Sequence, residues 1–156
     1  MIFCSVREEV YYLWLIFLVN IIFIKTINFW VFGWMGFGIW EFAHNYIFGP
    51  ICNLMTLGYL QNYLVNKELW FVGASILTTN ILFRDGHSYQ GYIGWINSWC
   101  LGILFFWVTL NYGLLAAIFS HSIYNIVVTI ADYLSLYLHP RLNPIIPEMI
   151  GWIYFD

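Results

Sequence analysis

The chain has 156 residues, 62% of them hydrophobic and only 8% charged, with a net charge of -3. Soluble domains carry about 25% charged residues, so a surface this poor in charge is built for lipid rather than water. Five lysines and arginines in an acidic chain argue against a nucleic-acid partner, which needs a basic face to neutralise phosphates.

Nine Trp, twelve Tyr and fourteen Phe suit the aromatic belts of a membrane protein. Cys4, Cys52 and Cys100 lack the spacing of a metal motif and read as buried apolar fillers, not as a disulfide framework. Arg7, Glu8 and Glu9 precede the first apolar run and no small-residue cleavage site follows it, so the N-terminus does not read as a signal peptide.

In chain order, Val10 to Ile24 is the first apolar helix. It is short against the roughly 20 residues of a span, so it tilts, thins the bilayer or begins before Val10. Asn28 to about Phe48 reads as the second helix, with Gly33, Gly36 and Gly38 allowing another helix to approach closely. It ends in a polar cluster holding Glu41 and His44, and Gly49-Pro50 then breaks or kinks it. Ile51 to Val65 reads as a shorter, partly interfacial helix, and Asn66-Lys67-Glu68 as a loop.

Leu69 to Phe83 is expected to be a helix that delivers His87 at or just past its end. Ser88 to Gly91 is a polar connection, Tyr92 to Tyr112 the cleanest transmembrane candidate, and Leu114 to Leu138 the last helix. Pro140, Pro144 and Pro147 bar a regular helix in the tail 139–156, where Ile150 to Phe155 is expected at an interface. The expected class is all-α: a single integral membrane domain, a polytopic transmembrane bundle of about five to six helices, because spanning backbone must satisfy its own hydrogen bonds. The alternating ten-residue segments of a β-barrel do not occur. Arg7, Lys25, Lys67 and Arg141 fall on both sides of the expected spans, so the count of basic residues fixes no orientation.

Ionisable and polar groups at membrane depth are costly, which directs attention to two clusters. They are Phe83-Arg84-Asp85-Gly86-His87 and His121-Ser122-Ile123-Tyr124-Asn125. His121 and Asn125 are four apart and share a helix face, to which Asp132 nearly returns. An imidazole there polarises water or takes a proton, and an amide holds an oxyanion. His87 comes from another helix end, and two histidines converging in a dry cavity position a water or a metal. Glu41 is the natural third member, a carboxylate in apolar sequence able to act as general base. Taken singly, each of His44, His87, His121 and Asn125 also reads as an interhelical hydrogen-bonding residue. Arg84 and Asp85 read as a snorkelling charge and its neighbour. A proton-relaying transporter would need a series of ionisable residues reaching both faces, and the sequence has none.

The joint pattern resembles the CPBP family of intramembrane proteases, which includes CAAX prenyl proteases, bacteriocin-processing enzymes and abortive-infection proteins. Phe83 and His87 match its FxxxH motif, and His121 and Asn125 match HxxxN. The resemblance covers about residues 33–138. The family's first motif, EExxxR, is where the chain departs. Glu41 stands one helix upstream of FxxxH but has no paired glutamate and no arginine four or five residues on. Glu8-Glu9 is the only EE pair, with Leu13 in the arginine's position. Glu41 is the preferred counterpart and the Glu8-Glu9 pair the alternative.

The resemblance implies a CAAX-protease-like helical core with a cavity open to the membrane. It implies endoproteolysis of a membrane-associated peptide or protein, in a multi-pass protein of the cell membrane. Glu41 and His87 would activate water while His121 and Asn125 hold the oxyanion. A metal-dependent version would place a divalent ion such as zinc on His87 and His121; a glutamate-type version needs no cofactor. The departure in the first motif keeps open an inactive scaffold or immunity-type protein on the same fold.

Overall fold

The computed structural model describes residues 2–138. The expectations for the tail from His139 fall outside the described residues, as does the side chain of Asp132.

No glycine or proline interrupts the chain from residue 2 to residue 30, and it forms one helical path there. The path comprises α1 (Ile2–Glu8), a π-helical stretch (Glu9–Ile16) and α2 (Phe17–Trp30). The apolar segment Ser5–Trp30 is therefore 26 residues long, enough to cross a bilayer although Val10 to Ile24 alone is short. The span gains its length at both ends of the apolar run.

Asn28 does not open a second helix, as the sequence suggested; it lies in the last turn region of α2. A tight turn follows, with Phe32 at φ 64° and Gly36 at φ 76°. A Cβ at Gly33 or Gly38 would collide with Asn28. These glycines serve a reversal folded back over Asn28, not a helix–helix contact. The buried Asn28 side chain accepts a hydrogen bond from the Glu41 backbone N–H at 3.1 Å, satisfying a donor in the first turn of α3 (Ile39–Ala43).

Gly49-Pro50 does not break the helix either. α3 continues through a π-helical stretch (His44–Phe48) into α4 (Gly49–Met55). Pro50 has no N–H to give, and the wider π-turn absorbs that loss without ending the helix. The break comes later, where Leu57 at φ 52° and Gly58 at φ 77° separate α4 from α5 (Gln61–Leu64). Asn66 then accepts from the Glu68 N–H at 2.9 Å and starts a 3₁₀ turn leading into α6 (Trp70–Gly86). A second 3₁₀ turn, Ser88–Gln90, joins α6 to α7 (Gly91–Tyr112). Gly113, at φ 90°, joins α7 to α8 (Leu114–Leu138). Among the described residues there is no strand.

α2, α6, α7 and α8 pack each on the next. Three cross-links show that the N-terminal path and α6 run antiparallel. The ring of Tyr12 meets Phe83 edge-on, Asn20 donates to Thr79 at 2.9 Å, and Lys25 caps the Phe71 ring at 4.0 Å. The core is formed by Leu13, Leu60, Leu64, Ile76, Phe105, Phe106 and Ala117. Gly102 lets α7 close on α6, because a Cβ there would strike the Asn80 side chain. Ile22, Ile93, Leu115 and Tyr137 are exposed, as apolar residues are where lipid is the solvent. Ser5–Trp30, Gly91–Tyr112 and Leu114–Ala131 are long and apolar enough to span a membrane.

Candidate active site

The site forms where α1 and the start of the π-helical stretch lie along α8. Ser5 and Glu9 are four residues apart on one helical path, and His121 and Asn125 are four apart on the other. The two pairs meet antiparallel. Glu9 Oε1 lies 2.6 Å from His121 Nδ1, and Asn125 Nδ2 donates to Ser5 Oγ at 3.0 Å. Ser5, Glu9 and His121 are buried. One oxygen of Glu9, Oε2, has no hydrogen-bond partner among the described residues. The His121 ring stacks on Phe105 with centroids 4.6 Å apart, which fixes the imidazole plane from a third helix.

His87 arrives from α6 as its C-cap residue. Its Nδ1 lies 2.7 Å from the Phe83 carbonyl. A carbonyl only accepts, so Nδ1 carries the proton and Nε2 presents a lone pair when the ring is neutral. This contact is the physical content of the Phe83-xxx-His87 spacing: the carbonyl one turn back sets the tautomer and aims the ring. Phe83 also packs its own ring against His87 at 4.5 Å.

Glu8 stands between the two imidazoles. Its Oε2 is 3.8 Å from His87 Nε2 and 3.6 Å from His121 Nε2. Glu8 and His87 line a cavity of about 350 Å³ together with Arg7, Tyr11, Tyr12 and Tyr89. Glu9 faces inward and Glu8 faces the cavity, so two adjacent carboxylates occupy different environments. Beside the cavity, Arg84 binds the Asp85 carboxylate at 2.8 Å and covers the Trp95 ring at 3.9 Å. That hydrogen bond holds the Asp85 carboxyl below its ordinary pKa. The pair reads as an anchor between the end of α6 and α7, with Trp95 Nε1 donating to Asp85 at 3.2 Å.

The arrangement brings His87 and His121 together, with Asn125 one helical turn from His121. It does not bring Glu41 to them. Glu41 is held through its backbone by Asn28, and Asn28 lies 19 residues beyond Glu9 on the same helical path, roughly 28 Å at 1.5 Å per residue. Glu8 and Glu9 stand in the position expected of Glu41. The local reason is the fold-back at Gly33 to Gly38, which keeps α3 on α2 and away from α8. His44 is also elsewhere, buried and close enough to Gly73 that a Cβ there would press on its ring.

His87 and His121 are the expected ligands only if the reaction uses a divalent metal such as zinc. Among the described residues, no three His, Cys, Asp or Glu side chains are grouped as ligands. The mechanism proposed for the site is therefore written with this chain's own residues alone. Ser5 was missed in the sequence; the signal available was its four-residue spacing from Glu9, the mirror of the spacing between His121 and Asn125.

A family model described as type II CAAX prenyl endopeptidase Rce1-like matches residues 34–127. The match takes in Glu41, His87, His121 and Asn125 and begins after the Glu8-Glu9 pair, which geometry alone brings to the site. No curated protein and no solved structure matches the chain.

Proposed function

The chain belongs to the Rce1-like family of type II CAAX prenyl endopeptidases, and on that premise we propose that it is an intramembrane endopeptidase. It would be a multi-pass protein of the cell membrane, a single membrane domain that cleaves a membrane-associated peptide or protein with a water activated by Glu8 and His87. The observation that supports this most directly is Glu8 Oε2 facing the Nε2 atoms of His121 and His87 at 3.6 and 3.8 Å.

Glu8 is the general base and His87 the group that holds the water, its Nε2 lone pair accepting a hydrogen bond from it. Glu8 removes the other proton as the water oxygen attacks the scissile carbonyl carbon. His121, held through Nδ1 by Glu9, turns its Nε2 edge to the developing oxyanion, and the amide of Asn125 supplies a further donor. Glu8 then returns its proton to the departing amine as the C–N bond breaks. Glu9 orients His121, a role that suits a fully buried carboxyl group at 2.6 Å.

The test is cleavage of a quenched fluorogenic peptide with a prenylated CAAX end, in phospholipid vesicles holding the protein. Wild type should cleave it, and Glu8→Gln should not. Equal rates for the two would remove Glu8 as the base.

A second reading has one observation in its favour. Leu13 occupies the place of the arginine in EExxxR and is buried in the core at 1% exposure. An inactive scaffold or immunity-type protein on this fold would carry such a loss without cost. That reading predicts no cleavage by wild type and an unchanged cellular phenotype in Glu8→Gln.

A further inference from the structure

We propose that Ser5 is a positioning residue for Asn125. Its hydroxyl takes one N–H of the Asn125 amide and so fixes the plane in which the other N–H is offered to the reacting oxygen. The inference rests on the reading of Asn125 as an oxyanion donor.

A primary amide has two N–H donors on one nitrogen, and turning its plane redirects both. Free rotation would spread the second donor over many directions, and a donor stabilises an oxyanion only when it is already aimed. Ser5 Oγ accepts from Asn125 Nδ2 at 3.0 Å. The serine is fully buried, so water does not compete for that contact. The helical path places Ser5 one turn before Glu9, while α8 places Asn125 one turn after His121. The antiparallel crossing therefore makes two rungs. Glu9 sets the ring of His121 on one, and Ser5 sets the amide of Asn125 on the other. The same pair of helices orients both oxyanion donors, and any sliding between them would misalign both together.

The α8 backbone supports the second rung. Thr129 Oγ1 donates to the Asn125 carbonyl at 2.8 Å, and Ser122 Oγ donates to the Ile118 carbonyl at 2.8 Å. These hydroxyls are turned onto their own helix and do not take the place of Ser5.

The test is a double-mutant cycle on the vesicle cleavage assay, with Ser5→Ala, Asn125→Ala and the pair. Ser5→Ala should lower kcat about tenfold, the worth of one orienting hydrogen bond, with KM unchanged. In the Asn125→Ala background, Ser5→Ala should have no further effect. Ser5→Thr, which keeps the hydroxyl, should restore most of the rate. An equal loss in both backgrounds would mean that Ser5 only supports packing, and would overturn the inference. Loss in Asn125→Ala with none in Ser5→Ala would overturn it too, while leaving Asn125 as a donor. Full activity in Asn125→Ala would instead remove the reading on which it rests. A second measurement needs no substrate. The Asn125 side-chain amide signal, assigned by its absence from Asn125→Ala in a ¹⁵N-asparagine spectrum, should shift and exchange faster with solvent in Ser5→Ala. An unchanged signal overturns the inference whatever the cleavage assay gives.

Discussion

Glu9 Oε1 lies 2.6 Å from His121 Nδ1, and the two residues are 112 positions apart in the chain. The contact joins the first helical path to the last and buries a carboxylate and an imidazole against one another. Such a pair is costly to break from one side, because the surviving partner is left buried and uncompensated.

From that follows a split between two substitutions at Glu9. Glu9→Ala should lower stability by about 3–5 kcal/mol, the usual cost of orphaning one member of a buried pair. Glu9→Gln keeps the shape and a hydrogen-bonding group, so it should fold and lose turnover instead. Thermal unfolding in detergent, read beside the vesicle assay, separates the two effects. A Glu9→Ala protein as stable as wild type would show that the pair adds nothing to the fold.

The two candidate bases can be compared directly. Glu8→Gln should lower turnover by about 10²–10⁴, the typical worth of general-base assistance. Glu41→Gln should stay within about twofold of wild type, since Glu41 is tied to α2 through its backbone and a Gln keeps that N–H. Loss of activity in Glu41→Gln with retention in Glu8→Gln would reverse the assignment.

The contact between α6 and α7 depends on Gly102. A Cβ there would meet the Asn80 side chain, whose Oδ1 is buried without a partner among the described residues and whose Nδ2 donates to the Trp99 carbonyl at 3.2 Å. Gly102→Ala should destabilise the protein by about 1–3 kcal/mol, as overpacking of a tight contact does. Adding Asn80→Ala should restore part of that loss by removing the group in the way. Midpoints of detergent-titrated unfolding would show it, and no recovery in the double variant would place the strain elsewhere.

Asn20 and Thr79 form a buried hydrogen bond between α2 and α6 at 2.9 Å. Thr79→Val keeps the shape and removes the acceptor, leaving the Asn20 amide unpaired between helices. Interhelical hydrogen bonds in membrane proteins are worth about 0.6–2 kcal/mol, and the loss should fall in that range. Turnover should be unaffected, because this rung lies well below Glu9. A drop in kcat without a drop in stability would mean that α2 and α6 align the site through this contact.

The sequence by itself determined the solvent and the class, and half of the candidate site was legible in it. Apolar runs with few charges have one outcome, helices in lipid, because unpaired backbone in hydrocarbon is too costly. FxxxH and HxxxN were legible because each acts within one helix: the Phe83 carbonyl aims His87, and the four-residue step puts His121 and Asn125 on one face. The tertiary structure alone decided which glutamate meets them. Glu41 satisfies the local pattern, yet the turn at Gly33 to Gly38 folds its helix onto Asn28. Glu8 and Glu9 lie far from the histidines in sequence, but α1 lies along α8 and delivers them. Nothing local distinguishes these outcomes, since a carboxylate's partners across the bundle depend on how whole helices stack. Ser5 was hidden for the same reason. A serine on an apolar helix satisfies itself or a neighbour equally well, and only the antiparallel crossing set it against Asn125.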